Sequence, residues 1–307
     1  MDAIVRTEHL ARRFGSVEAL QDLTLEVPRG QVVALLGPNG AGKTTALRTI
    51  ANVLEPSAGR ALVFGVDSRR LSPRELRRLG YVSENQELPT ALRGAELFAF
   101  LKGLYPTWDD AFAGELSARF RLPLQRPLHQ LSRGVRMKTA LVCSLAYRPE
   151  PLLLDEPFSG LDPLVREEVI DGVLALGERE GWTVLLSSHD VDEVERLADR
   201  IAILNHGRLA LLEDTDALLS RHRSIEVVLV SEATATPAAL PVSWLQATRA
   251  GRTLRFVESR FDEQRTTGEV ARVLPGSQVV SVAPMSLKAV FLALARQFRF
   301  YEEGEAA

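Results

Sequence analysis

One cysteine in 307 residues, Cys143, excludes an intrachain disulfide and fits a reducing compartment. Charge of neither sign dominates. The 37 basic and 40 acidic side chains leave a net charge of -3, so no overall field draws the chain to nucleic acid or to an anionic surface. No apolar run approaches the roughly 18 residues that a membrane-spanning helix needs. The first fifteen residues, MDAIVRTEHLARRFG, are charged and lack the apolar core of a secretory leader. These absences lead us to expect a cytosolic chain whose membrane role, if it has one, is supplied by another polypeptide. Internal repeats are absent, and so are low-complexity tracts apart from the polar end EEGEAA. The G-x-G-x-x-G pattern of dinucleotide-binding folds is missing too. Lysine is scarce: Lys43, Lys102, Lys138 and Lys288 are the four among the 37 basic residues. A lysine retained in such a chain suggests a position that wants a compact ammonium rather than a planar guanidinium.

What remains is an ordinary globular composition, 46% hydrophobic and 25% charged. The segment from about 3 to 36 alternates like strands and ends in the buried-looking QVVALLG, followed by a glycine-rich loop and the helix-like KTTALRTIANVL. From about 88 to 148 the pattern is helical. There WDDAFAGELSARF sets Trp108, Phe112, Leu116 and Phe120 at four-residue steps, which reads as a core-facing stripe. A buried strand returns with PLLLDEP. A helix follows, with Asp162 as its N-cap and Pro163 in its first turn, and then the strand WTVLLSSHD and the helix VDEVERLAD. RIAILNHGRLALLED reads as a hairpin turning at His206-Gly207. Strands alternating with helices imply an α/β core with a mostly parallel sheet. Beyond about residue 220 the strands SIEVVLV and TLRFVES, a helix near 262–273, the strand QVVSVAPM and the helix SLKAVFLALARQF suggest a small α+β unit. We therefore expect a first domain at 1–219, with a helical lobe at about 88–148, and an accessory domain at 220–307. The latter is expected to be ferredoxin-like with a frayed end.

Chemistry concentrates in three stretches. GPNGAGKTT, residues Gly37, Pro38, Asn39, Gly40, Ala41, Gly42, Lys43, Thr44 and Thr45, fits G-x-x-x-x-G-K-[ST] between a buried strand and a helix. Glycines let successive backbone N–H groups curl around a polyphosphate, and the helix N-terminus adds its positive end. Lys43 is suited to the β- and γ-phosphates and the Thr44 hydroxyl to Mg²⁺. PLLLDEP brings Asp155 to the end of a buried strand as a second Mg²⁺ ligand, and Glu156 beside it as a base for an attacking water. The third stretch, LSRGVRMK, offers amide donors and positive charge at a helix start. Taken alone it is either a solvated corner or an anion site.

In this order, with LSRGVRMK upstream of LLLDEPFSGLD and then LLSSHD, the chain resembles the ATP-binding subunits of ABC transporters over about residues 3–215. The resemblance is to the branch serving ABC-2-type exporters. It implies a P-loop NTPase fold of ABC ATPase type with a helical signature lobe, joined to the C-terminal α+β unit. It implies an ATP hydrolase that dimerises around two Mg-ATP and drives export through separate membrane permease subunits, with no nucleic-acid partner. The location implied is cytoplasmic, peripheral on the inner face of the membrane. Residue by residue, it implies that Phe14 stacks on adenine, and that Ser132, Arg133 and Gly134 present the signature to ATP held by the other subunit. Asp162 would join the two sites, and His189 would bond the γ-phosphate and share in catalysis with Glu156. Glu84 stands where the family usually has a glutamine, a third ligand candidate for Mg²⁺. Arg133 and Val135 also depart from the family signature, replacing its first glycine and its glutamine. A soluble ABC ATPase acting in regulation, or on nucleic acid or ribosomes, is the competing reading. The transported substrate is not legible.

Overall fold

The computed structural model describes residues 3–84, 86–180, 182–231, 237 and 239–305, with side chains outside 175–180 and 298–305. The chain divides into two compact units, Met1–Leu212 and Glu213–Ala307.

In the first unit β1 (Ala3–Phe14) and β2 (Val17–Pro28) form an antiparallel pair joined at Gly15. Their alternation turns Ile4, Leu10, Leu23, Leu25 and Val27 inward. Thr7 sits in this core with its hydroxyl satisfied, donating to Leu23 O and accepting from Leu25 N, both at 2.9 Å. β3 (Val32–Leu36) is buried along nearly its whole length and leads into α1 (Lys43–Ile50). β4 (Ala58–Val63) and β5 (Val66–Asp67) extend the first sheet to the order β2-β1-β4-β5. The short α2 (Pro73–Leu76), started by a Ser72–Glu75 capping box, precedes β6 (Gly80–Val82).

The expected helical interval holds α3 (Gly94–Leu104), α4 (Asp110–Arg119) and α5 (Arg133–Leu145). Phe112, Leu116 and Phe120 are buried as the stripe predicts, whereas Trp108 precedes the Asp109 cap and is half-buried. Cys143 lies inside α5, and burial pushes its thiol up to about 12, so it is not a reactive group.

β7 (Pro151–Asp155) is buried throughout. α6 (Pro163–Glu180) starts at Asp162, whose Oδ1 accepts from Val165 N at 3.0 Å. β8 (Thr183–Ser188) follows. VDEVERLAD then gives only the single turn α7 (Val191–Val194), capped by Asp190, rather than a full helix. β9 (Arg200–Asn205) and β10 (Arg208–Asp214) form the hairpin through His206 and Gly207, both at positive φ. The six-stranded sheet runs β10-β9-β3-β8-β7-β6, parallel from β9 to β6. The main core includes residues of both sheets and of α1.

The second unit carries α8 (Thr215–Arg221), β11 (Arg223–Val228), β12 (Trp244–Ala250), β13 (Thr253–Glu258), α9 (Glu263–Val273), β14 (Gln278–Pro284) and α10 (Leu287–Glu305). The sheet is antiparallel in the order β12-β13-β11-β14. Numbering its strands one to four along the chain gives 4-1-3-2, the order of a ferredoxin-like sheet. Among the described residues no helix joins the first two strands, where that fold has one. α8 and β12 were not anticipated. The β12 pattern is broken at Gln246, where a positive φ and a register shift interrupt the alternation that marks a strand. Among the described residues no helix is long and apolar enough to cross a membrane.

Candidate functional site

In the parallel sheet, β3, β8, β7 and β6 lie side by side, so the loops leaving their C-terminal ends are neighbours. Register sets the details. Leu36 pairs with Ser188, Asp155 with Ser187, and Val82 with Leu154. The last residues of three strands therefore reach one edge together with the loop that begins at Gly37.

That loop ends in a helix with no side-chain cap. The capping residue of α1 is Gly42, in the left-handed region at φ 103°, and the first turn holds no acid. Other helix starts here are capped by Asp109, Ser132, Asp162 and Asp262. At α1 the free N–H groups and the positive end of the helix are left for an anion. The loop is seated on the rest of the fold. A Cβ on Gly42 would lie 2.4 Å from Ala19 O, and one on Gly37 would lie 2.3 Å from Leu204 O.

Lys43 is nearly enclosed. Its ammonium donates to Gly37 O at 2.8 Å and to Pro38 O at 3.3 Å, and pairs with Glu156 Oε1 at 3.2 Å. Glu156 takes a positive φ of 49°, an uncommon conformation for a residue with a side chain. Its other oxygen, Oε2, accepts from His189 N at 3.3 Å and meets His189 Nδ1 at 2.7 Å. With Glu156 ionised and therefore only an acceptor, this contact calls for a proton on Nδ1.

Asp155 is buried, and burial pushes its carboxyl up. The hydrogen bonds from Thr44 and Ser187 and the charge of Arg48 oppose that shift. Thr44 Oγ1 donates to Asp155 Oδ1 at 2.8 Å, and Ser187 Oγ donates to the same oxygen at 2.9 Å. Ser187 Oγ also accepts from Glu156 N at 3.0 Å, so one hydroxyl orients both acids. Thr44 and Asp155 together offer hard oxygen donors, the kind that suits Mg²⁺ with its remaining positions left to water and phosphate oxygens.

Lys43, Thr44, Glu156 and His189 line an open pocket of about 660 Å³ together with Phe14, Asn39, Gly40, Ala41, Gly42, Thr45 and Glu84, whereas Gly37, Pro38 and Asp155 lie outside its lining. Phe14 is exposed, with the Arg12 guanidinium 4.5 Å over its ring. Ser132, Arg133, Gly134 and Asp162 are outside the residues lining this pocket. Ser132 caps α5 and Gly134 packs under Val165. Glu84 does not stand free as a third metal ligand. It accepts from Ser159 Oγ at 2.8 Å and pairs with Arg133 at 3.6 Å. Ser187, Ser159 and Glu18 were not anticipated from the sequence; the last two line the pocket. Ser187 left a faint signal, the serine pair closing an otherwise apolar strand.

Residues 20–159 match the family model described as ABC transporter. Over 218 residues the chain is 39% identical to the sulfate/thiosulfate import ATP-binding protein CysA of Xanthomonas campestris pv. campestris, covering 68% of this chain and 63% of that one. Over 222 residues it is 39% identical to the daunorubicin resistance ATP-binding protein DrrA3 of Streptomyces coeruleorubidus, covering 71% of this chain and 70% of that one. Among solved structures, the dimeric post-hydrolysis state of the ATP-binding cassette MJ0796 bound to ADP and Pi superposes with a TM-score of 0.61 at 25% identity. It covers 69% of this chain and 98% of that one.

Proposed function

This chain belongs to the family of ABC transporter ATP-binding subunits, and from that membership we propose that it is an ATP-hydrolysing motor that dimerises around two Mg-ATP and powers export through separate membrane subunits. The observation that carries the reading is the Lys43–Glu156–His189 chain of contacts beside the Thr44–Asp155 pair, at the mouth of an uncapped helix. Lys43 is positioned to exchange its carbonyl and carboxylate partners for β- and γ-phosphate oxygens. Thr44 and Asp155 would hold Mg²⁺, which neutralises charge on the transferring phosphoryl group when bound. Glu156, oriented by Ser187 at its backbone and by His189 at its carboxylate, takes the proton of the attacking water.

Ser132 and Gly134 would complete the site of a second copy; the dimeric MJ0796 structure is the support for pairing. The groove beside the helical lobe, about 760 Å³ and lined by Glu84, Leu88, Arg136 and Met137 among others, is where we expect a membrane subunit to dock. Export is the direction we propose; its support is the match to the daunorubicin resistance protein DrrA3, which stands beside an equally identical match to the import protein CysA. Residues 213–307 are proposed as an accessory domain. Pull-down from detergent-solubilised membranes tests the partner. Recovery of a hydrophobic polypeptide supports transport; recovery of rRNA without one would move the chain to the translation-linked ATPases. Uptake of substrate into inverted, rather than right-side-out, vesicles by the recovered complex would establish export.

A further inference from the structure

Glu84 lines both the nucleotide pocket and the lobe-side groove, and among the described residues no other is shared by the two linings. It lies in the loop after β6, and its carboxylate is gripped from two other segments. Ser159 Oγ donates to Oε1 at 2.8 Å from the turn between β7 and α6, and Arg133 NH2 lies 3.6 Å from the same oxygen at the first residue of α5. The guanidinium is itself seated on bare backbone. A Cβ on Gly160 would lie 2.5 Å from Arg133 NH1 and 2.7 Å from its Cζ, so any side chain there would push the guanidinium away. Gly160 also has a φ of 66°, in the left-handed region. The two departures from the family pattern, an acid at 84 and a base at 133, are thus partners in one chain.

We propose that Arg133 is a positioning residue for Glu84, holding its carboxylate against the Ser159–Gly160 turn and so lowering the pull of the pocket on Mg²⁺. The inference rests on the ATPase reading, and concerns how the metal requirement is set. A carboxylate paired with a guanidinium offers less negative potential to a nearby cation than a free one. The side chains are 47% and 36% exposed, which limits the pair to the modest strength of a solvent-screened bridge.

The test is a Mg²⁺ titration of N-methylanthraniloyl-ATP binding to the full chain, followed by fluorescence. Arg133→Gln should lower the free Mg²⁺ giving half-maximal enhancement by about two- to fivefold, the range of a screened ion pair. Arg133→Lys, which keeps the charge, should stay close to the parent. In a Glu84→Gln background Arg133→Gln should shift nothing, because the carboxylate it controlled is gone. Gly160→Ala, which displaces the guanidinium without removing it, should reproduce the Arg133→Gln shift and lose it likewise in the Glu84→Gln background. An equal shift in both backgrounds would mean that Arg133 repels Mg²⁺ directly, and no shift with Glu84 present would mean that the pair is inert; either result overturns the proposal. If the probe fails to bind the parent chain at any Mg²⁺ concentration, the ATPase reading itself falls, an outcome distinct from both.

Discussion

Replacing Glu156 with glutamine keeps the side chain's size and an oxygen for His189, and removes the charge and the basic oxygen. A positioned general base contributes about 10²–10⁴ in rate, or about 3–5 kcal/mol of barrier, so single-turnover phosphate release should slow by that factor. Binding should move the other way. Lys43 Nζ lies 3.2 Å from Glu156 Oε1, with the side chains 6% and 10% exposed, and an incoming phosphate must take the ammonium from that carboxylate. The gross attraction at this distance is about 5 kcal/mol at an effective dielectric of 20. Desolvation of the two ions returns most of it, leaving a net tightening of about 1 kcal/mol, roughly fivefold, once the carboxylate is gone. Gly37 O and Pro38 O still hold the ammonium in place. Equilibrium binding of a fluorescent ATP analogue measures the affinity, and size-exclusion chromatography with ATP reads the accumulated dimers. Turnover within about tenfold of the parent would remove Glu156 from the role of base. Weakened binding would mean that the carboxylate positions Lys43 instead of competing for it.

Lys43→Ala should weaken nucleotide binding itself, and unchanged affinity would contradict the phosphate-loop reading. The signature is tested by mixing Lys43→Ala with Ser132→Asp, chosen because an aspartate still caps α5 whereas any side chain at Gly134 would meet Val165 Cγ1 at 2.8 Å. Each homodimer should trap no ATP, and the mixture should trap about one nucleotide per heterodimer; no recovery with heterodimers present would put the signature outside the site. Ser187→Ala removes one of the bonds that hold the Asp155 carboxyl down, so its raised pKa should rise further. The acid limb of Mg²⁺-dependent binding should then move to higher pH, and an unmoved limb would sink this account of Asp155. The sign for stability is opposite to that of a salt-bridged acid. The contribution of Asp155 is full below its unfolded pKa and is lost as pH rises through the higher folded one, so chemical denaturation of the variant should show that loss extending to higher pH.

The loop at Gly37–Thr45 stood out in the sequence because the phosphate chemistry proposed for it needs residues that little else needs, and the structure seats two of its glycines where a Cβ would strike Ala19 O or Leu204 O. Asp155 was legible for a similar reason, an acid ending three buried leucines. Ser187 was not, because its part depends on parallel register; Asp155 and Ser187 face each other only once β7 and β8 are paired. Nor was the partnership of Glu84 with Arg133, which joins the loop after β6 to the start of α5. His189 was found by resemblance and expected at phosphate, and the structure puts its Nδ1 on Glu156. In the fold, α4 with its apolar stripe and α6 with its Asp162 cap were read from the sequence, whereas α8 was missed despite its Asp214 cap and α7 proved to be a single turn. β12 was lost because a bulge at Gln246 breaks the period that identifies strands.

The seating of Gly37 and Gly42 on neighbouring backbone has a thermodynamic side. A loop that must order around its ligand adds the heat-capacity signature of folding, on the scale of about 1,000–3,000 Å² of buried surface. Here the cradle leans on Ala19 and Leu204 carbonyls belonging to the strand framework, so its curvature belongs to the fold and is in place before a nucleotide arrives. Calorimetry of the Ser132→Asp variant, whose signature should not close on a partner's nucleotide, should then return a small negative heat-capacity change across a range of temperatures, sized for adenine and ribose leaving water. The enthalpy of binding should vary weakly with temperature, in the manner of a rigid receptor.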